Sequence, residues 1–220
     1  MDETVKPRRP YDNRGRADQA RRNRRRIVDA THQLLLSQGY RATTMAAIAR
    51  EAGVSVETVY KAFKTKATLV KETYDIALAG DDEPIPLIDR PEMQALIADP
   101  DPVSKLRRYA AIATAIGSRT GPLLGVLLAA ARGSGDADLE AFAATIDRER
   151  LFGASSLIRQ LADTGDLRPD LSPDQARDIV WTLISPDLYR LLVVDRAWSL
   201  PTYETWLATT LITALTATPP

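Results

Sequence analysis

The chain has no cysteine and a single histidine, His32. Disulfides, thiolate metal sites and cysteine nucleophiles are therefore excluded, and the absence fits a reducing compartment. A lone imidazole with no thiol or second imidazole nearby makes no metal site, so His32 is expected to be a partly buried structural residue. The sequence also lacks a GxxxxGK run ending in Ser or Thr, a GxSxG elbow and any metal-ligand spacing. Its paired acids Asp81 and Asp82 fall in a predicted loop, where solvation is their ordinary role. No enzyme is expected, and no cofactor or metal. The arginine-rich beginning has no apolar signal core, and the longest unbroken apolar run is far short of a bilayer, so a soluble cytoplasmic chain with no membrane partner is expected.

Net charge is missing as well, but only as a sum. The 220 residues hold 29 Lys plus Arg and 29 Asp plus Glu, whereas residues 1–80 hold 16 against 9 and the remainder 13 against 20. A basic first part and an acidic second part suggest that only the first meets a polyanion. Residues 1–20, with prolines, Gly15 and few apolar side chains, are expected to be a disordered basic arm. Ten cations, from Lys6 to Arg26, lie within about two dozen positions, a density that favours phosphate by counterion release. The alternative is a solvated tail. If the arm binds DNA, Arg14 and Arg16, flanking Gly15, can enter a minor groove.

Ile27, Ala30, Leu34 and Val28, Leu35 repeat at helical spacing, predicting a helix over 17–38 with Gly39 as its stop. Residues 44–63, TMAAIAREAGVSVETVYKAF, predict two short helices with a sharp corner. Gly53 supplies a positive φ at that corner, and Ser55 caps the second helix. Val59 and Phe63 share one face of the second helix, while Glu57 and Lys61 share another. One face packs and the other is free to read base edges, the layout of a helix-turn-helix.

The run IVDATHQLLLSQGYRATTMAAIAREAGVSVETVYKAFKTKATLV resembles the DNA-binding domain of the TetR family of bacterial transcriptional regulators. The likeness rests on Gly39-Tyr40, Thr43-Thr44, AGVS at the corner, TVY and Phe63 on the second helix, and Lys66 before a fourth helix; it covers about 21–80. It implies an all-α protein: a three-helix, helix-turn-helix DNA-binding domain over 21–80 and a larger helical ligand-binding and dimerisation domain over 81–220. It further implies a homodimer, a double-stranded DNA operator and a small-molecule effector. Thr44, Tyr60 and Lys66 fall where the family touches phosphates, and Ser55, Val56, Glu57, Thr58 and Lys61 where it approaches bases or backbone. Chemistry agrees: Glu57 can accept from a cytosine amino group and Val56 can meet a thymine methyl. Alternatively Glu57 pairs with Lys61 and Val56 turns into the packing stripe. Ala62 departs from the aromatic residue often found there.

After a fourth helix that would act as a lever, prolines and Gly80 mark 80–104 as a boundary. Periodicity then predicts helices over 103–118 and 123–132, the second opened by Gly121-Pro122. A long helix is predicted over 136–163; the charged block 147–150 interrupts its apolar pattern and marks either where the helix leaves the core for solvent or a solvated face with local ion pairs. Ser172-Pro173-Asp174-Gln175 and Ser185-Pro186-Asp187 are two further helix starts. Leu188, Leu191 and Leu192, with Trp206, Leu207, Leu211 and Leu215 on the last helix, form either a twofold dimer interface or the monomer's own core. Arg107, Tyr109 and Trp181 are candidates for lining an effector cavity, with core packing the alternative for the two aromatics. The expected function is a dimeric repressor of a palindromic operator, released by a small apolar ligand. An activator, or an architectural protein of the same fold without ligand control, is the alternative.

Overall fold

The computed structural model describes residues 13–132 and 135–217. Among these the fold is all helical save for one isolated antiparallel bridge, Leu167 to Thr216. Helix α1 (Asn13–Ala42) begins inside the segment expected to be disordered, so residues 13–20 are helical; residues 1–12 lie outside the described part. Straight-chain residues favour helix, and Gln19 bonds Asn23 at 2.8 Å while Arg22 bonds Gln19 at 2.9 Å, the spacings that support an exposed helix. Arg14 and Arg16 thus stand on a helical first turn, not on a loose arm. At Gly39 the chain leaves the helix with φ 77° and ψ 174°.

Helices α2 (Met45–Ala52) and α3 (Val56–Phe63) make the predicted corner. Thr44 caps α2 through the Ala47 amide at 3.1 Å, and Ser55 caps α3 through the Thr58 amide at 3.2 Å. Gly53 takes φ 61°, and its amide closes on the carbonyls of Ala49 and Arg50. The positive φ is what calls for glycine here; a Cβ would otherwise only displace the exposed end of the Arg26 side chain. Ile27, Val28, Ile48, Val59, Phe63 and Leu69 close a small core among α1, α2, α3 and the start of α4 (Lys66–Ala79).

The body comprises α5 (Pro91–Ala98), α6 (Pro102–Ala131), α7 (Ala137–Asp163), α8 (Pro173–Leu183), α9 (Pro186–Tyr189), a π-helical turn over 190–195 and α10 (Leu200–Leu215). Gly121-Pro122 does not start a new helix: α6 runs unbroken through it. Pro122 is exposed, so its missing hydrogen bond is left on the solvent side, and the hydroxyls of Ser118 and Thr120 bond back to the carbonyls of Ala115 and Ile116 around it. By length and apolar content α6 would also span a bilayer. Here its buried side chains join both cores of the body. Gly117 and Gly121 on α6 sit under the ring of Tyr189, where a Cβ would come within 2.8 and 2.7 Å of ring carbons.

The charged block 147–150 lies on one continuous α7, with Arg150 turned inward and paired to the outward Asp147 at 3.0 Å. One expectation is corrected here. Leu207, Leu211 and Leu215 are not interface residues: each is 0% exposed within the single chain, packed with Leu106, Ala110 and Val180. Leu207→Ala should therefore lower unfolding stability by about 2–5 kcal/mol, the usual cost of a buried leucine cavity. Urea denaturation followed by circular dichroism measures it; a loss under about 1 kcal/mol would contradict the packing described.

Candidate DNA interface and the cavity behind it

On α3, Val59 and Phe63 are buried while Val56, Glu57, Tyr60 and Lys61 are exposed. The spacing i, i+1, i+4, i+5 puts these four on one outward face. No ion pair joins Glu57 to Lys61 among the described residues; the Ser55 hydroxyl instead donates to Glu57 and lowers its pKa below the usual carboxylate value. Glu57 is thus held as an acceptor beside the amide end of α3, and Lys61 is left to reach outward. Thr58 is half-buried, its hydroxyl 3.0 Å from Ser55 Oγ, so it is tied to the cap. Thr44 is exposed at the amide end of α2, which also favours an anion.

Lys66 is half-buried, and one of its three donors is engaged within the chain. Its ammonium donates to the Tyr40 carbonyl and lies 3.5 Å from the centroid of the Tyr40 ring, and partial burial lowers its pKa. It bolts α4 to the turn after α1. Three arginines of α1 also have partners within the chain. Arg24 grips Glu72 (Nε to Oε1 2.6 Å), donates to the Ala62 carbonyl at 3.2 Å and covers the Phe63 ring at 4.4 Å. Arg21 and Arg25 approach Asp82 at 3.6 and 3.4 Å. Sequence spacing gives no sign of these pairings, because the acids lie 48 to 61 residues away on α4 and the loop after it. Lys64, exposed at the end of α3 with φ 61°, was missed for the same kind of reason: only the fold shows it beside the reading face.

Behind this head, α4 lies against the body. Leu35, Tyr40, Val70 and Tyr74 share one core with Leu123, Leu124 and Leu127 of α6 and Phe142 of α7. The last turn of α4 is fastened from α6: Arg119 Nε donates to the Ala77 carbonyl at 2.9 Å and Nη2 to the Leu78 carbonyl at 2.8 Å. Arg119 is the one charged residue between 109 and 131, a signal that could have marked it. Lys71 of α4 reaches Glu149 of α7 at 3.1 Å.

Between α4, α6 and α7 is a cavity of about 210 Å³, closed on a further side by Tyr189 and Tyr203. Tyr74 and Leu78 of α4 form part of its wall, so the lever is also a cavity wall. Tyr109, expected there, lines it. Burial pushes the phenols of Tyr74 and Tyr109 well above the ordinary tyrosine value, so both remain neutral donors. Arg107 does not line it: it is exposed on the far side of α6. Trp181 does not line it either; it backs Arg150, which donates to the Trp181 carbonyl and lies 5.1 Å from the indole ring. Arg150, unanticipated, is the arginine at the wall.

A capped two-helix corner with an exposed second helix, mounted on a helical body, defines a helix-turn-helix DNA-binding transcriptional regulator. Residues 27–73 match the family described as bacterial regulatory proteins, tetR family. That match spans the helix-turn-helix head, from α1 to α4. It is 27% identical over 170 residues, 76% of this chain and 77% of the relative, to the uncharacterized HTH-type transcriptional regulator YdeS of Bacillus subtilis (strain 168). Over 47 residues, 21% of this chain and 25% of the relative, it is 51% identical to the uncharacterized HTH-type transcriptional regulator YvkB of the same organism. Its fold is similar to that of NalD, the secondary repressor of the MexAB-OprM multidrug efflux pump in Pseudomonas aeruginosa, with a TM-score of 0.68, 21% identity, and 90% of this chain and 98% of that one covered. It is also similar to FadR from Bacillus subtilis in complex with stearoyl-CoA, with a TM-score of 0.67, 18% identity, and 86% and 98% covered.

The packing role of Lys66 is testable by stability. Lys66→Ala should lower the melting temperature by several degrees, since a loss of about 1 kcal/mol shifts a domain by that much, whereas Lys61→Ala should leave it within about a degree. Differential scanning calorimetry of the two variants decides; equal melting temperatures would return Lys66 to the surface.

Proposed function

We propose that the chain is a dimeric repressor of a palindromic operator, and that a small, mostly apolar molecule entering the cavity releases it. The observation that carries this reading is the double use of α4: Tyr74 and Leu78 face the cavity, while Val70 and Tyr74 belong to the core that joins head to body. A molecule that fills the cavity differently in two states tilts α4, and only such unequal binding can shift the equilibrium. Release by a small molecule is consistent with a wall that is mostly apolar. The protein works in the cytoplasm, where its DNA is.

The pairing surface, in this reading, is the outer side of the 188–206 region. Leu191, Val194 and Leu200 are exposed there, Leu188 and Leu192 are half-buried, and Trp198 stacks edge-on against Trp206 at 6.1 Å. Trp206 is half-buried in the single chain, with area left to bury against a twofold copy. On DNA, the exposed face of α3 enters the major groove, Lys61, Glu57 and Val56 meet base edges, and Thr44, Ser55 and Tyr60 touch phosphates. Arg14 and Arg16 at the head of α1 reach the flanking backbone.

Selection of bound duplexes from a random pool should return an inverted repeat whose half-site centres lie roughly 34–36 Å or a multiple apart, as for other dimeric readers. Lys61→Ala should change the bases recovered; recovery of unrelated sequences without a dyad would refute the operator reading. Trp206→Glu should weaken self-association at least tenfold in sedimentation equilibrium while the circular dichroism spectrum is kept. An unchanged dimer would place the pairing surface elsewhere.

A further inference from the structure

We propose that the cavity takes a small aromatic carboxylate, its acid group held by Arg150 and its ring lying among Tyr109, Tyr189 and the open face of α7 at Gly153. This rests on the reading of the cavity as the effector site and names the chemistry of what enters it. Arg150 is a cation that the protein itself has only partly answered. Its side chain is 14% exposed, and its carboxylate partner Asp147, at 3.0 Å, is 60% exposed and largely solvated. A guanidinium has five N–H donors. One of those on Arg150 goes to Asp147, one to the Trp181 carbonyl, and its buried Nε has no partner in the structure. Leaving a buried charged donor unmatched is costly, and the planar fork of arginine is matched best by a carboxylate.

The other ionised group at the wall does not offset this. Glu149 shares Lys71 with Asp75, at 3.1 and 2.5 Å, and its side chain is 44% exposed, which places it at the rim, where solvent also screens its charge. A cationic ligand would compete with that lysine and meet Arg150 deeper in, so the polarity of the cavity favours an anion. The hydroxyls of Tyr74, Tyr109, Tyr189 and Tyr203 have no hydrogen-bond partner among the described residues and add neutral donors. Space is available beside the guanidinium: Gly153, three residues along α7, has nothing within 4 Å of where a Cβ would stand. On the opposite helix Gly117 and Gly121 let the Tyr189 ring lie flat against α6, so that ring is the wall there. The volume, about 210 Å³, is below the roughly 300–1,000 Å³ that suits drug-sized ligands, which points to one or two rings.

Three probes on one ring system test the head group with the full-length protein: naphthalene-2-carboxylate, 2-naphthamide and 2-naphthylmethylamine, each titrated by calorimetry. The carboxylate should bind at least tenfold more tightly than the amide, and the amine more weakly than either. Arg150→Met should reduce the carboxylate to the level of the amide and leave the amide within about twofold; Arg150→Lys should fall between. If the Arg150 variants fail to fold, the ranking on the unaltered protein still decides. An amide as tight as the carboxylate overturns the charge assignment and leaves the cavity as an apolar site. A tightest-binding amine overturns it in favour of Glu149, and no binding by any probe overturns it outright. Ile112→Trp, which fills the cavity, separates the two readings: carboxylate binding that survives it lies elsewhere, and the cavity reading falls with it.

Discussion

Everything in this molecule depends on one seam, where α4 is pressed between the head and the body. Leu69 closes the head core, Val70 and Tyr74 the shared core, and Leu78 a cavity wall, all on fourteen residues of one helix. A helix so placed cannot move without disturbing three packed surfaces, and packed interiors respond by switching arrangement more readily than by deforming. The hydrogen bonds from Arg119 to the carbonyls of Ala77 and Leu78 hold its last turn to α6. That end is fixed and the other carries the DNA-reading helices, which makes α4 a lever in the mechanical sense.

The head itself is stiff. Arg24 alone touches α3 through the Ala62 carbonyl and Phe63 ring and α4 through Glu72, while Lys66 pins α4 to Tyr40. Cations near a polyanion are usually credited to binding, but here several are consumed in holding the reading helix at a set angle. What remains outward on α3 is a narrow set of side chains whose positions follow α4 as one body.

The head was almost fully legible in the sequence. Short-range rules govern it: Thr44 and Ser55 cap, Gly53 turns, and Val59 with Phe63 repeats at helical spacing. The body was less so, because its decisions are made between distant residues. Gly121-Pro122 read as a break, yet packing on both sides of α6 overrode the local preference. The stripe Leu207, Leu211, Leu215 was visible, but periodicity cannot say whether an apolar face meets its own chain or another, and α6 takes it. Arg107 and Arg150 are indistinguishable by type; only the fold turns one to solvent and the other to the interior. That Arg21, Arg24 and Arg25 of α1 also meet carboxylates was not legible, because those partners lie far along the chain.

Tyr189 has a consequence of its own. Its ring is seated on α6 over two bare glycines, with no room for a Cβ at either, it closes the hollow, and it is the last residue before the π-helical turn that carries Leu191 and Val194 outward. A guest that lifts the phenol from its seat therefore also pulls on the backbone beneath those two exposed side chains. Interior occupancy and the shape of the outer surface are joined through a single aromatic ring.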